Sequence, residues 1–260
     1  MPKKAPEETR SRVKDDARTL ALLWRRQERP ARSGLTLSTI IQTAIEVADR
    51  EGLEALSMRR LAEILNVGTM SLYTHVPGKA ELVDLMWDAS LDGLYADPDE
   101  PKRQPGYRAG LEFVALRNRA LFEAHPWLLD LNITRPVIGP NAAAKYEAEL
   151  RVLDGIGLTD LEIDAVASQL WTHVFASCRW AEEERRAQQE SGLTDVEWWA
   201  RTLPLLESVM FGDFPVASRI GPKSNEMRLP ETSTQHHFRW GVEVVVQTVA
   251  SLVRDREAQR

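Results

Sequence analysis

Between Thr36 and Gly52 the apolar residues Ile40, Ile41, Ala44, Val47 and Ala48 recur at helical spacing, so one face of a helix carries them. Thr36 stands where an N-cap is needed and Gly52 where the helix must end. Ser57 opens a second, short helix bearing Leu61, Ala62 and Leu65; a third covers 69–75, and a fourth runs from 78 to about 95. The polar run Asp97-Pro98-Asp99-Glu100-Pro101 breaks the chain. Beyond it the spacing predicts helices over about 106–124, 127–132, 140–156, 159–187, 194–211 and 234–254. Gly212, Pro215, Gly221, Pro222 and Pro230 predict a loop over 212–232. Val242 to Val246 has a strand-like composition, but apolar positions continue at a period of 3.6 through Leu252 and Val253, which favours a helix. The expectation is an all-α protein in three parts: an extension over 1–35, a small helical head over 36–82, and a larger helical body over 83–260.

Composition narrows the class. With 260 residues, 43% of them hydrophobic and 28% charged, the chain is globular in character. One cysteine, Cys178, excludes an intrachain disulfide and any multi-cysteine metal centre. No apolar run reaches the roughly 18–20 residues of a membrane span, and the short apolar stretch 19–24 is too brief for a secretory signal. A cytoplasmic protein with no membrane partner is expected. The net charge of −6 is unevenly divided: residues 1–80 hold 14 Lys and Arg against 10 Asp and Glu, while the remainder holds 19 against 29. A basic front on an acidic body is a weak sign of nucleic-acid contact at the N-terminus, and a solvated basic tail fits the same numbers. Val13, Ala17, Leu20 and Trp24 lie at helical spacing, so the extension is read as partly helical. It can pack on its own head, pack on a partner, run along DNA phosphates, or stay a mobile basic arm.

The segment Leu56 to Lys79 carries the most specific pattern. Two short helices joined by three or four residues cross steeply, which calls for a small residue on the first; Ala62 supplies it. The turn calls for a residue that accepts left-handed backbone, and Asn66 is among the few non-glycine types that do. Leu72 then anchors the second helix, with Leu61, Leu65, Val67 and Val76 completing the core. This is the spacing of a helix-turn-helix unit, whose second helix enters the DNA major groove. Thr69, Met70, Ser71, Tyr73, Thr74 and His75 are left facing outward. Hydroxyls and a methionine methyl suit base edges and thymine methyls, while Tyr and His reach phosphates or bases. Arg59 is the candidate for a bidentate guanine contact, and Lys79, opening the fourth helix, for a phosphate.

Residues 51–82, from Glu51-Gly-Leu-Glu-Ala-Leu-Ser through Asn66-Val-Gly-Thr-Met-Ser-Leu-Tyr-Thr-His to Lys79-Ala-Glu-Leu82, resemble the N-terminal domain of the tetracycline-repressor (TetR) family. The resemblance implies a three-helix DNA-binding head and a homodimer on double-stranded operator DNA. By position it implies base contacts from Arg59, Thr69, Met70 and Thr74, and phosphate contacts from Thr36, Tyr73, His75 and Lys79. Leu131 to Pro136, His173 to Cys178 and the closing stretch His237 to Val244 resemble the subfamily of the tetracycline repressors themselves. In those proteins a histidine and a glutamate hold a drug-chelated magnesium ion. The corresponding positions here are Leu131 and Ala181, neither able to coordinate a hard cation, so no metal or other cofactor is expected and the effector is not tetracycline–magnesium. Two drug-contacting positions fall at Phe113 and Arg117.

A small, largely apolar effector would be lined by Phe113, Arg117, Trp127, Leu131, Trp171, His173, Phe175 and Cys178. The same residues fit ordinary core packing, and His173 fits a satisfied core histidine. For the dimer interface, the amphipathic stretch 196–211 offers Trp199, Leu203 and Leu206, and the last helix offers Phe238, Val242, Val245 and Val249. Burial within one subunit is the alternative. An enzyme is disfavoured: there is no P-loop, no Gly-x-Gly-x-x-Gly and no Gly-x-Ser-x-Gly, and the five histidines have no metal-binding spacing. A DNA-binding protein without a sensor role, or an activator in place of a repressor, remains compatible with these residues.

Overall fold

The computed structural model describes residue 17 and residues 19–24, 35–131, 138–210, 214–226 and 233–258, with the side chains of 207–210, 221–226 and 233–234 set aside. All regular structure among the described residues is helical. No described helix is long and apolar enough to cross a membrane. The chain divides into two compact units, 1–154 and 155–260.

The first unit begins with a helical turn at 19–23. Then follow α1 (Leu37–Glu51), a 3-10 turn (Leu53–Ala55), α2 (Met58–Ile64), α3 (Thr69–His75), α4 (Lys79–Ser90), α5 (Gly106–Ala124), a second 3-10 turn (Pro126–Asp130) and α6 (Pro140–Arg151). Thr36 caps α1 by accepting from the Thr39 N–H, and Ser57 caps α2 by accepting from Arg60. Gly52 ends α1 at φ 82°, a conformation its missing side chain permits. Ile40, Ala44, Val47 and Ala48 of α1 are buried with Leu61, Ala62, Leu72, Val76 and Leu82, so one apolar cluster unites the first four helices. Leu65 and Val67, expected in that core, are only half-buried. The fourth helix stops at Ser90, short of 95, and Arg117 of α5 reaches back to the carbonyls of Gly93 and Leu94 beyond its end. The segment expected as a helix near 127–132 is the 3-10 turn Pro126–Asp130.

The second unit holds α7 (Asp160–Ser191), α8 (Asp195–Met210), α9 (Pro215–Glu226) and α10 (Ser233–Ala258). A reciprocal capping box between Thr159 and Glu162 starts α7, and Gly192 in left-handed backbone closes it. The loop expected over 212–232 is corrected: it contains α9. Pro215 occupies its first position, where no N–H is needed and the ring presets φ. Helices α7 and α10 pack along their length, burying Val166, Leu170, Val174 and Cys178 with Phe238, Val242, Val245, Val246 and Val249.

Candidate nucleic-acid interface

The turn between α2 and α3 is built from backbone. Asn66 has φ 53°, the one positive value at a non-glycine position among the described residues. The Val67 N–H reaches Ala62 O at 3.0 Å and the Asn66 N–H reaches Glu63 O at 3.2 Å. These two bonds form a Schellman motif, which satisfies the last carbonyls of α2 and turns the chain into α3. Burial of Ala62 lets the two helices cross closely.

Leu72 and Val76 point inward and are fully buried, which aims the opposite face of α3 at solvent. Met70 is 76% exposed, Tyr73 and Thr74 are exposed, and Thr69, Ser71 and His75 are half-buried. The Thr74 hydroxyl donates to Ser71 O at 2.6 Å, so its proton is already committed. Arg59 lies on the exposed side of α2 with its Nε bonded to Glu63 at 3.0 Å, one turn on. Thr36 Oγ1 is engaged at the α1 cap with Thr39. Lys79 is exposed, and its Nζ donates to Leu53 O at 3.0 Å, tying the start of α4 to the turn after α1. Arg60 bonds Glu51, which ties α2 to the end of α1.

Spacing gave no sign of the ties that hold this head to the rest of its unit. Asp49 at the end of α1 accepts from Trp127 Nε1 at 2.8 Å and pairs with His125 Nδ1 at 2.8 Å. Asp88 of α4 is buried, and its carboxylate accepts from the Ala142 N–H at 2.9 Å and the Asn141 N–H at 3.4 Å at the start of α6. Burial pushes the Asp88 carboxyl above its ordinary value, and these two backbone bonds oppose the shift. Between α5 and α6, Glu149 accepts from Asn118 at 2.7 Å, Tyr95 at 2.8 Å and Lys145 at 2.8 Å. Burial, reinforced by the Glu149 charge, drives the Tyr95 phenol far above its ordinary value. Each pairing joins residues more than 30 apart, except Lys145 with Glu149, or depends on a helix terminus.

Several expected effector residues have structural employment. Arg117 is bonded to backbone carbonyls, and Trp127 is buried with its indole N–H on Asp49. His173 sits against Gly241, stacks on Phe238 at 6.0 Å, and its Nε2 bonds Phe238 O at 2.9 Å. Since a carbonyl only accepts, that nitrogen carries the proton, and His173 is a helix-packing residue of the second unit. Phe113 packs at a tilt on Tyr95 and is half-buried, as is Leu131. Trp171 and Phe175 pack on each other at 6.4 Å, and Cys178 is buried. Ala181 is exposed on α7.

The expected interface needs correction as well. Phe238, Val242, Val245 and Val249 are buried by α7 of the same chain, which leaves them no surface for a partner. The face that α10 leaves exposed bears Trp240, 65% exposed, and Val244, 50% exposed. On α8, Trp199, Leu203 and Leu206 are half-buried.

Comparison with known proteins agrees with this geometry. The family model for bacterial regulatory proteins of the tetR family matches residues 40–86, and that for the tetracyclin repressor-like C-terminal domain matches 99–252. The HTH-type transcriptional repressor DrrR1 of Streptomyces coeruleorubidus is 38% identical over 251 residues, 94% of this chain and 89% of that protein. The TetR family protein ActR of Streptomyces coelicolor, solved in complex with actinorhodin, is 29% identical with a TM-score of 0.65 across 84% of this chain and 97% of that one. Tetracycline repressor class E of Escherichia coli is 31% identical over 126 residues, 48% of this chain and 58% of that protein. This chain belongs to the TetR family of helix-turn-helix transcriptional regulators.

Proposed function

We propose that the protein is a repressor that binds a palindromic operator as a homodimer and leaves it when a small, largely apolar molecule binds. The outward presentation of Met70, Tyr73 and Thr74, on a helix anchored by fully buried Leu72 and Val76, carries the DNA-binding part of this reading. Because the Thr74 proton is spent on Ser71, its methyl is what it offers a thymine methyl. Thr69, Met70 and Ser71 meet base edges, and Arg59 meets a guanine edge. Thr36, Tyr73, His75 and Lys79 hold phosphates; the ammonium of Lys79 keeps two further protons beyond the one on Leu53 O.

One short helix covers few base pairs. Two heads about 34–36 Å apart reach successive major grooves, so a dimer supplies both affinity and the palindrome. In place of the buried valines, we assign the interface to Trp240 and Val244 of α10 with Trp199, Leu203 and Leu206 of α8. The likeness to ActR, which was solved with a small molecule bound, supports release by an effector. Within the first unit, half-buried Phe113 and Leu131 are the residues we assign to effector contact. A differential affinity of a few kcal/mol between the DNA-competent and ligand-bound states is enough to empty the operator.

Selection of bound duplexes from a random pool tests this reading, followed by sedimentation of the complex and a screen for small molecules that displace the winning site. A symmetric site bound by two chains and released by a small molecule is the expected result. Recovery of only non-symmetric fragments, or one chain per selected site, overturns it.

A further inference from the structure

The N-terminal extension is the part of the sequence that the head and body leave unused. Its described portion is docked within the first unit. Residues 19–23 are helical, Thr19 and Leu22 are buried, and the Trp24 indole N–H donates to Ile138 O at 3.0 Å. Ile138 lies two residues before α6, which starts at Pro140 with Gly139 as its N-cap. The next two N–H groups, of Asn141 and Ala142, are those held by Asp88 of α4, and the Asn141 side chain donates to Asp88 O at 3.1 Å. The fit is tight: a Cβ on Gly139 would lie 2.3 Å from the Asp88 carboxyl. The stretch 138–142 is thus gripped twice, by Trp24 from the N-terminal segment and by Asp88 from the helix that follows α3 directly in the chain.

We infer that the segment 19–24 is an intramolecular clamp on the start of α6, and that Trp24 is a positioning residue for operator binding. This inference rests on the DNA-binding reading above. With Ile138 held, the α6 N-terminus stays where Asp88 can cap it. With Asp88 held at that terminus, α4 keeps its place, and α4 in turn fixes the end of α3 through the three-residue connection Val76-Pro77-Gly78 and the bond from Lys79 to Leu53 O. The role differs from a basic arm along the DNA, because the group involved is an uncharged indole N–H on a backbone carbonyl of its own chain.

The decisive variant is Trp24→Phe in the full-length protein. It keeps an aromatic ring and deletes the donor, and at 52% exposure the position tolerates the change. Two measurements are made. Hydrogen–deuterium exchange without DNA should show faster exchange in the peptide bearing Asn141 and Ala142. Binding to the selected duplex should weaken by about two- to fivefold, the loss of one partly exposed hydrogen bond, with an unchanged salt slope. Unchanged exchange overturns the clamp. Faster exchange with unchanged affinity overturns its action on the head. A reduced salt slope assigns the segment to phosphates and overturns the inference too. If the wild-type protein selects no duplex, the DNA-binding reading fails, and the exchange measurement still decides whether the clamp exists.

Discussion

Gly241 sits where α10 crosses α7, and its replacement by alanine sets two effects of opposite sign against each other. Alanine in a helix interior is better than glycine by about 0.5–1 kcal/mol, so propensity alone makes Gly241→Ala stabilising. Packing opposes it. The added Cβ would lie 2.0 Å from His173 Cε1, 2.3 Å from Nε2 and 2.5 Å from Nδ1. Carbon atoms prefer about 3.5–4.0 Å, so the helices must part by roughly 1.5 Å or the imidazole must leave its place. The ring is held by stacking on Phe238 and by the bond to Phe238 O, and parting the helices loosens the rows from Val166 to Cys178 and Phe238 to Val249. Overpacking costs about 1–3 kcal/mol, and the lost hydrogen bond adds about 1 kcal/mol. Against the propensity gain, the net expectation is a loss of about 2 kcal/mol, or about 4–8 °C in the thermal midpoint at this chain length. Differential scanning calorimetry at fixed protein concentration measures it. The double variant His173→Ala with Gly241→Ala should lose less than the two single variants together, because His173→Ala removes the ring that the Cβ added at 241 would meet. A Gly241→Ala protein that melts at or above the wild-type temperature refutes this account of the α7–α10 crossing.

Asn66→Gly should leave stability near wild type or slightly above, whereas Asn66→Val should cost about 1–2 kcal/mol in denaturant melts, since a β-branched residue resists the left-handed backbone of the α2–α3 turn. Thr74→Val keeps the outward methyl and loses only a hydroxyl already spent on Ser71 O, so it should retain operator preference in competition binding; Thr74→Ser removes the methyl and should relax preference at one A·T pair. Hydrogen bonds from Arg103 hold the exposed Asp97 carboxyl at about 2, below its ordinary 3.8. Its contribution is therefore full above pH 3.8 and is lost as pH falls through about 2, so acid melts of Asp97→Asn should show a shallower decline in that window than wild type.

The head was legible because its signals are local. Asn66, Ala62, Leu72 and the caps at Thr36 and Ser57 lie within a few residues of the geometry they dictate, and the backbone adopts that geometry. Pro215 misled because proline breaks a helix interior but opens a helix well, and the two cases look alike until the next turn is seen. Arg117 and His173 were expected to line an effector site; both bond backbone carbonyls, partners that leave no side-chain signature. The pairing of Asp49 with Trp127 joins residues 78 apart, and nothing near either one announces the other.

The closing helix shows the physical limit of periodicity. A stripe at Phe238, Val242, Val245 and Val249 states that this face must be buried, but a 3.6-residue repeat carries no information about which surface buries it. Helix α7 of the same chain meets the demand, so the energy of that stripe stabilises the fold of the second unit and is not available for association. For the homodimer we propose, the partner face lies among apolar residues that remain exposed after intrachain packing, and on α10 these are Trp240 and Val244, four residues apart on one side of the helix. Burying that pair removes more apolar surface from water than the remaining exposed area of the four nearly buried residues could supply, so substitutions on the buried stripe should register as lost stability, and Trp240→Glu as lost association with the melting of each chain little changed.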